Sequence, residues 1–429
     1  MRSLESPAVA RELFGTDGVR GIVGEFVTAE LVERLGKASA LWSGGGRVFI
    51  GRDTRASGAE LADAFARGVE SAGGVAVVGG VVPTPAVALL RLDLGVVISA
   101  SHNPPEYNGV KFFDRDGRKL TDDAEEEIEA LIDADAPGGG EVDRVGFAAD
   151  SYLEHVLERF GSDLSGLRVA VDCANGAYAG IAPQAFERLG ADVTAIGNAP
   201  DGHNINVGCG ATDLALLQRT VTGGDFHLGV AFDGDGDRML AVDGDGSVVD
   251  GDQIVAVLAL HLGVDLVAVT TMANLGFHRL MEDHGVRVVT TDVGDRYVLE
   301  ALHREGGLLG GEQSGHIIFL RDHVTGDGLA AALLLCDAVR GTTLARAAAA
   351  MTRYPQAKQN LPRSERGPLP QSLLDAVDRV NAELNGDGRV LVRPSGTEPV
   401  VRVLAEAPTE EESEALCGRV VKLVFEELG

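Results

Sequence analysis

The stretch Leu94-Gly-Val-Val-Ile-Ser-Ala-Ser-His-Asn-Pro104 joins an apolar run to a polar loop. The run Leu94–Ile98 is typical of a buried strand. Ser101 and His102 therefore follow the carboxyl end of a strand, where open α/β sheets bind ligands. A hydroxyl beside an imidazole suits covalent catalysis, although Ser, His and Asn before Pro also suit an ordinary turn. The stretch predicts an α/β fold with Ser101 as a candidate nucleophile.

A second loop of this kind, Asp233-Gly-Asp-Gly-Asp-Arg238, lies far along the chain. It follows the apolar, strand-like run His227–Phe232. Alternate side chains of an extended backbone point to the same side, so we expect the three carboxylates to converge. They would repel one another unless a cation joined them, and their oxygens suit Mg²⁺ or Ca²⁺. Arg238 adds a guanidinium able to bind phosphate.

Two other interpretations apply to this aspartate loop. Asp/Gly runs often form solvated hairpin turns, and Asp243–Gly246 nearby is predicted to be one. A calcium EF-hand does not fit, because Arg238 stands where the motif needs Gly and Gly244 stands where it needs Glu. We expect a Mg²⁺ site, since the loop ends a buried strand.

The composition bounds the class of protein. The chain has 429 residues, 45% of them hydrophobic, which is enough for three or four packed domains. The net charge of -28 would repel nucleic acid and anionic membrane surfaces, so neither is an expected partner. Acidic residues in excess with few lysines also resemble the proteins of salt-loving microbes, a hypothesis about habitat rather than activity.

Other features of the chain indicate its compartment. The four cysteines are scattered without a CxxC pair, which argues for a reducing compartment and against a zinc site. Charged residues interrupt the N-terminal segment, so we expect no signal peptide. The longest apolar run, Leu329–Cys336, is too short to span a bilayer. We therefore expect a soluble, cytoplasmic protein.

Strand and helix signals alternate in three similar units, which predicts largely parallel sheets covered by helices. The predicted strands are Arg47–Gly51, Gly74–Val78 and Leu94–Ile98, then Leu167–Val171, Ala191–Ala195 and Leu228–Phe232, then Leu266–Thr270, Val286–Thr290 and Gly307–Gly310. The predicted helices are Gly58–Glu70, Ala182–Leu189 and Phe277–His284. In each unit a polar loop follows the last strand: the Ser101 loop, the aspartate loop and Gly311–His316. We expect three α/β domains that each contribute one loop to a central cleft.

The remaining part of the chain predicts a smaller α+β domain. Its expected elements are helices at Gln371–Leu384 and Glu410–Leu428 and strands at Arg389–Val392 and Val400–Ala405. The Pro- and Arg-rich stretch Asn360–Pro370 is predicted to be a linker. The expected domain boundaries are 1–148, 149–248, 249–355 and 356–429.

The small domain carries Arg393-Pro-Ser-Gly-Thr-Glu-Pro399. Its guanidinium, two hydroxyls and glycine backbone could cradle a phosphate, and Arg402 could add a second donor. A hairpin loop with capping hydroxyls would have the same composition.

Together these motifs resemble the α-D-phosphohexomutase superfamily over the whole chain. The matching segments are Phe14-Gly-Thr-Asp-Gly-Val-Arg-Gly21, Ser99–Pro104, Asn108-Gly-Val-Lys111, Asp233–Arg238, Gly311–His316 and Arg393–Pro399. Within it, Asp201–Asn206, Cys209-Gly210, Met272–Gly276, Val293–Val298 and Gln313 resemble the phosphoglucosamine mutase subfamily. One departure is Cys209-Gly-Ala-Thr-Asp213, where bacterial members usually read CGSTH.

The resemblance implies a reaction and roles for named residues. A phosphoserine would exchange its phosphoryl group with a hexose monophosphate, most simply glucosamine 6-phosphate, through a hexose 1,6-bisphosphate that also serves as activator. One Mg²⁺ per chain would be bound by Ser101, Asp233, Asp235 and Asp237. The implied catalytic residues are Ser101, His102, Lys111, Arg20 and His316, and the implied substrate-binding residues are Arg238, Glu312, Ser314, Arg393, Ser395, Gly396, Thr397 and Arg402.

Several alternatives stay open at the level of sequence. Phosphomannomutases and phosphoglucomutases share these catalytic loops. An aspartyl-phosphate phosphatase with Asp233 as nucleophile is a more distant enzyme class, and a sugar-phosphate-binding scaffold is a non-enzymatic one. The sequence does not rank His102, Lys111 and His316 as proton carriers, and it leaves the oligomeric state, a homodimer included, undecided.

Overall fold

The computed structural model describes residues 13–15, 17–363, 367–395 and 399–428. The chain divides into two compact units. The first runs up to Met272 and resumes over Arg287–Ala349, and the second comprises Ala273–Val286 and the chain from Ala350 onward.

The first sheet of the first unit has six strands in the order β1-β5-β4-β2-β3-β6. Its elements are β1 (Val19–Ile22), α1 (Ala29–Trp42), β2 (Arg47–Arg52), α2 (Gly58–Ser71), β3 (Val75–Val81), α3 (Thr84–Leu90), β4 (Leu94–Ile98), β5 (Tyr107–Phe113), α4 (Asp122–Ala130) and β6 (Glu141–Arg144). Strand β2 pairs in parallel with β3 and β4, whereas β5 runs antiparallel to both β4 and β1.

The second sheet has five strands in the order β11-β10-β9-β7-β8. Its elements are α5 (Ala148–Phe160), β7 (Arg168–Asp172), α6 (Ala182–Arg188), β8 (Asp192–Ile196), α7 (Ala215–Thr222), β9 (Leu228–Phe232), β10 (Met239–Asp243) and β11 (Val248–Val249). The predicted turn at Asp243–Gly246 is confirmed, because Asp243 and Ser247 close it between the antiparallel strands β10 and β11.

The third sheet has four strands in the order β13-β12-β14-β15. The chain here forms α8 (Gly251–Leu262), β12 (Leu266–Thr270), α9 (Leu275–Asp283), β13 (Arg287–Thr291), α10 (Asp295–Glu305), β14 (Leu309–Gly311), β15 (Ile317–Phe319), α11 (Gly328–Ala338) and α12 (Leu344–Ala348).

One four-strand pattern recurs in all three sheets. The orders β5-β4-β2-β3, β10-β9-β7-β8 and β15-β14-β12-β13 each contain three parallel strands and one antiparallel strand. All five residues of β4, of β9 and of β12 are buried, which explains their uninterrupted apolar runs. In each sheet a polar loop connects the last parallel strand to the antiparallel strand. These loops are the Ser101 loop in the first sheet, the aspartate loop in the second and Gly311–His316 in the third. The predicted fold class is therefore confirmed.

The second unit contains a three-stranded antiparallel sheet in the order β16-β18-β17. Its strands and later helices are β16 (Gln356–Pro362), α13 (Gln371–Leu384), β17 (Arg389–Pro394), β18 (Val400–Glu406) and α14 (Glu410–Leu428). Apolar side chains of both helices pack with the strands in one core.

The predicted linker Asn360–Pro370 is wrong over its first three residues. Asn360, Leu361 and Pro362 belong to β16 and pair with β18, and Leu361 lies in the core. Proline is tolerated there because β16 is an edge strand, where no second neighbour needs the missing N–H. Pairing across the sheet therefore overrides a local composition that favours a loop.

Two expectations from composition concern the cysteines and membrane-spanning segments. All four cysteines are buried and free. Within the described ranges, no helix is long and apolar enough to cross a membrane.

Candidate active site

The Ser101 loop and the aspartate loop meet directly. Ser101 is buried, and its Oγ donates a hydrogen bond of 2.6 Å to Oδ2 of Asp233. The backbone of Ser101 has a φ of +50°, in the left-handed region that non-glycine residues rarely adopt. Strain of this kind concentrates at functional sites, where surrounding contacts hold it.

The three carboxylates of the aspartate loop converge, but not through an extended backbone. One oxygen from each of Asp233, Asp235 and Asp237 lies within 4.8 Å of the other two. The loop is a turn rather than an extended segment, and Gly236 has a φ of +80°. A Cβ at Gly236 would stand 2.4 Å from the ring of Tyr178, so a side chain fits neither the conformation nor the space. The predicted convergence is present, and it arises from a turn at the glycines instead of an extended backbone.

The donor set of this cluster fits a hard divalent cation. Burial and the carboxylates of Asp237 and Asp235 raise the pKa of Asp233 to about 8. Asp235 Oδ1 is buried and has no hydrogen-bond partner in the described part of the chain. Crowded carboxylate oxygens of this type are the ligands that Mg²⁺ prefers, and a bound cation would remove their repulsion.

Lys111 is one of the cations that contact the carboxylates. It lies on β5 opposite Val97 of β4, and this register directs its side chain into the cluster. Its buried Nζ lies 2.7 Å from Asp235 Oδ2 and 3.2 Å from Asp237 Oδ2. Burial opposes the charge, but Asp17 and these two carboxylates raise the pKa of Lys111. Lys111 therefore carries a permanent positive charge here.

His316 is a further cation at these carboxylates. Its Nε2 lies 3.1 Å from Asp237 Oδ1 and its Nδ1 lies 3.3 Å from Glu312 Oε2. Burial alone would lower its pKa, but the carboxylates of Asp237 and Asp295 raise the pKa of His316 to about 10. In this arrangement the ring is an imidazolium.

His102 has the opposite electrostatics. Its Nδ1 lies 3.3 Å from Ser101 Oγ. Burial, together with the guanidiniums of Arg238 and Arg20, lowers the pKa of His102 to about 4. The ring is neutral at pH 7, so it is the uncharged imidazole next to the candidate nucleophile.

The other predicted residues of the first unit lie around this centre. Arg20 forms an ion pair with Asp17. The backbone N–H of Arg238 donates to Asp233 Oδ1 at 3.2 Å, and its side chain is partly exposed. Glu312 accepts the N–H of Gly294 at 3.0 Å. Ser314 is exposed in the turn between β14 and β15.

The sequence assigned no role to several residues at the site, among them Asp17, Lys119 and Asp295. Lys119 Nζ lies 2.7 Å from Asp17 Oδ1 and 2.9 Å from Asp295 Oδ1. Asp17 reaches Lys111 at 3.5 Å, and Asp295 reaches His316 at 3.9 Å. With Asp237, these groups form a closed ring of alternating charges from three sheets. Asp17 and Asp295 lie in segments that carry the family resemblance, whereas nothing local marks Lys119.

The predicted phosphate-binding residues lie in the second unit. Arg393 on β17 and Arg402 on β18 are directly paired in the sheet register. Arg402 Nη2 donates to Ser395 Oγ at 3.2 Å. Gly396 and Thr397 lie outside the described residues.

Four domain families match almost the whole chain. They are phosphoglucomutase/phosphomannomutase alpha/beta/alpha domain I over residues 11–138, domain II over 150–246, domain III over 250–354 and the C-terminal domain over 345–423. The chain belongs to the phosphoglucomutase/phosphomannomutase family. The resemblance to phosphohexomutases is thereby confirmed, and with it an enzyme of the isomerase class.

Individual relatives and structures are similar over the same length. A phosphoglucosamine mutase of Pelotomaculum thermopropionicum is 47% identical, over 96% of this chain and 99% of that protein. One of Moorella thermoacetica is 48% identical, over 94% and 97%. A crystal structure of a phosphoglucomutase/phosphomannomutase family protein from Burkholderia thailandensis superposes with a TM-score of 0.83 at 26% identity, over 97% of this chain and 98% of that one.

Replacing Lys119 with Met tests the ring of charges. The change removes the ammonium between Asp17 and Asp295, both largely buried, and we expect a loss of about 2 kcal/mol in the free energy of unfolding. Urea denaturation followed by circular dichroism measures it. Arg188→Met is the control, because its pair with Glu154 is exposed and its loss should be undetectable. Equal midpoints for the two variants would contradict a structural role for the ring.

Proposed function

We propose that this chain interconverts glucosamine 6-phosphate and glucosamine 1-phosphate through a phosphoserine at Ser101. The observation that carries the proposal is the hydrogen bond from Ser101 Oγ to Asp233 inside a buried carboxylate triad. A nucleophilic oxygen beside a candidate cation site is the arrangement that phosphoryl transfer requires. The glucosamine substrate is proposed because the similar relatives are phosphoglucosamine mutases.

The first half-reaction would transfer the phosphoryl group from Ser101 Oγ to the C1 hydroxyl of glucosamine 6-phosphate. The bond from phosphorus to Oγ breaks and the bond to O1 forms, while the C1 hydroxyl loses its proton and Oγ takes one up. The product is glucosamine 1,6-bisphosphate beside a free serine hydroxyl. The hydrogen bond of Ser101 to Asp233 corresponds to this unphosphorylated state.

The second half-reaction would return the other phosphoryl group. The bisphosphate presents its 6-phosphoryl group to Ser101 Oγ, which loses its proton as the new bond forms. The bond from phosphorus to O6 breaks, O6 takes a proton, and glucosamine 1-phosphate leaves. His102 is the proposed proton carrier, because its Nδ1 lies 3.3 Å from Ser101 Oγ.

Asp233, Asp235 and Asp237, with an oxygen at Ser101, are the proposed ligands of one Mg²⁺, which supplies a Lewis acid to the transferring phosphoryl group when bound. Lys111 and His316 each contact carboxylates of this triad, so they would hold those carboxylates in place and add positive charge. Arg238, partly exposed at the same loop, is placed to bind phosphate oxygens. Arg20 would act through its ion pair with Asp17.

The remaining proposed roles concern recognition of the sugar phosphate. Glu312 would accept hydrogen bonds from sugar hydroxyls, since it already accepts an N–H at 3.0 Å and lies next to His316. Ser314 would also bind the sugar. Arg393, Ser395, Gly396, Thr397 and Arg402 are the proposed ligands of the phosphate that is not transferred, and the contact from Arg402 to Ser395 supports them as one group.

Replacing Ser101 with Ala tests the chemistry. The variant keeps the triad and loses the oxygen that carries the phosphoryl group, so turnover should fall at least ~1000-fold while binding of glucosamine 6-phosphate persists. A coupled assay and calorimetric titration measure the two quantities. Ser43→Ala, which removes a hydroxyl that donates to the carbonyl of Ala40 at 3.2 Å, should leave turnover unchanged. Turnover of Ser101→Ala within tenfold of the native enzyme would overturn the proposal.

A comparison of substrates tests the sugar. With bisphosphate supplied as activator, we expect kcat/KM for glucosamine 6-phosphate to exceed that for glucose 6-phosphate and mannose 6-phosphate at least ~10-fold, because a site built around one polar substituent discriminates against others. A preference for either neutral sugar would reassign the chain to phosphoglucomutase or phosphomannomutase activity.

A further inference from the structure

The buried guanidinium of Arg55 contacts the backbone of the Ser101 loop at more points than Asn206, whose Nδ2 donates to the carbonyls of Ser101 and Asn103. The side chain of Arg55 is fully buried. Its Nη2 donates to the carbonyls of Ser101 at 2.9 Å and Asn103 at 2.8 Å, and its Nη1 donates to those of Tyr107 at 3.0 Å and Pro104. Three carbonyls of the loop and that of the first residue of β5 therefore accept hydrogen bonds from one side chain.

The fifth donor of Arg55 extends the contact to the other side of Ser101. Arg55 Nε donates to Asp53 Oδ2 at 2.9 Å, and the same oxygen accepts the hydroxyl of Ser99 at 2.6 Å. The Ser99 Oγ in turn accepts the N–H of Ser101 at 2.9 Å. Both the N–H and the carbonyl of Ser101 are thus held by the buried Asp53–Arg55 pair.

This arrangement uses the whole bonding capacity of the guanidinium. Arginine has five N–H donors in a rigid planar fork, and here each of them has an acceptor. Lysine has three donors and could satisfy at most three of the five acceptors. The site is therefore specific for arginine rather than for positive charge.

The conformation of Ser101 explains why such a contact is needed. A φ of +50° is unfavourable for serine and persists only where the surroundings determine it. In that conformation the Oγ reaches Asp233 Oδ2. A relaxed loop would turn the hydroxyl away from the carboxylates, and a displacement of about 1 Å at a reacting atom can cost ~100-fold in rate.

We infer that Arg55, Asp53 and Ser99 are positioning residues that hold Ser101 Oγ in line for phosphoryl transfer. The inference rests on the proposed function, because it assumes that Ser101 carries the phosphoryl group. Arg55 and Ser99 contact the backbone of the loop, and Asp53 holds these two side chains, so all three act through Ser101. They lie on the segment that follows β2 and at the end of β4, and the Ser101 loop itself follows β4.

The test compares Arg55→Lys with Arg52→Lys in the full-length enzyme. Arg52 lies three residues away, is partly buried, and its side chain donates to the carbonyl of Asp53 at 3.0 Å, so its conservative variant should behave as the native enzyme. For Arg55→Lys we expect kcat to fall ~100-fold with KM changed less than about threefold. The fraction of Ser101 phosphorylated after incubation with glucose 1,6-bisphosphate, read by mass spectrometry of intact protein, should fall in parallel.

A second variant serves if Arg55→Lys does not fold. Ser99→Ala removes one hydroxyl, and with it the acceptor of the Ser101 N–H, while Arg55 and Asp53 remain. We expect a loss of ~10-fold in kcat with KM unchanged, at a folded fraction equal to that of the native enzyme. Values of kcat within threefold of native for the folded variants, or losses that only follow the folded fraction, would overturn the inference.

The two proposals fail in different ways. If native enzyme shows turnover but takes no phosphate onto Ser101 from the bisphosphate, the phosphoserine mechanism fails. If native enzyme is phosphorylated at Ser101 and Arg55→Lys is phosphorylated and active to the same extent, only the positioning role fails.

Discussion

Three carboxylates in a space a few ångströms across are the constraint on which the site depends. Asp233, Asp235 and Asp237 are buried, and burial together with the neighbouring carboxylates of Asp237 and Asp235 raises the pKa of Asp233 to about 8. Such a cluster is stable only among cations. Lys111 and His316 supply two of them, and the remaining carboxylate oxygens fit a divalent metal. The carboxylates attract positive charge, and positive charge also stabilises the negative oxygens of a phosphoryl group during transfer.

The repeated topology is what brings the cluster and its cations together. Each of the three sheets in the first unit turns from its last parallel strand into one antiparallel strand, and each turn carries a polar loop. The three loops meet, so the site combines the Ser101 hydroxyl, the carboxylate triad and the His316 ring from three different sheets. Contacts such as Thr84 Oγ1 to Asp235 Oδ2 at 2.7 Å, and Met239 N–H to the carbonyl of Gly315 at 2.9 Å, join those sheets. The charges of the site therefore depend on how the three sheets pack together.

Local patterns predicted the elements that depend on burial, and they failed where distant pairing decides. The apolar run Leu94–Ile98 is a strand because both faces of the sheet are covered, and this can be read from the residues alone. Asn360–Pro362 read as a linker because only its pairing with β18 makes it a strand. The aspartate loop was expected to be extended, and the turn at Gly236 became visible only with its packing against Tyr178.

In the site, too, short motifs predict some residues, and distant contacts determine the place of others. Ser101 and the three aspartates stand in compact motifs, so the sequence marked them as candidates. Lys119 and Arg55 contribute through partners far along the chain, Asp295 in one case and the Ser101 loop in the other. Their importance follows from geometry that no short motif contains. The contrast between a neutral His102 and a charged His316 likewise depends on neighbours from several sheets.

Mapping the phosphoryl group on the enzyme tests this account most directly. Enzyme incubated with glucose 1,6-bisphosphate and digested under acidic conditions would be analysed by tandem mass spectrometry, with a parallel hydroxylamine treatment to detect an acyl phosphate. The account predicts a hydroxylamine-stable phosphate on Ser101 and none on Asp233. A hydroxylamine-labile phosphate on Asp233, or an active enzyme with no phosphate at Ser101, would contradict it.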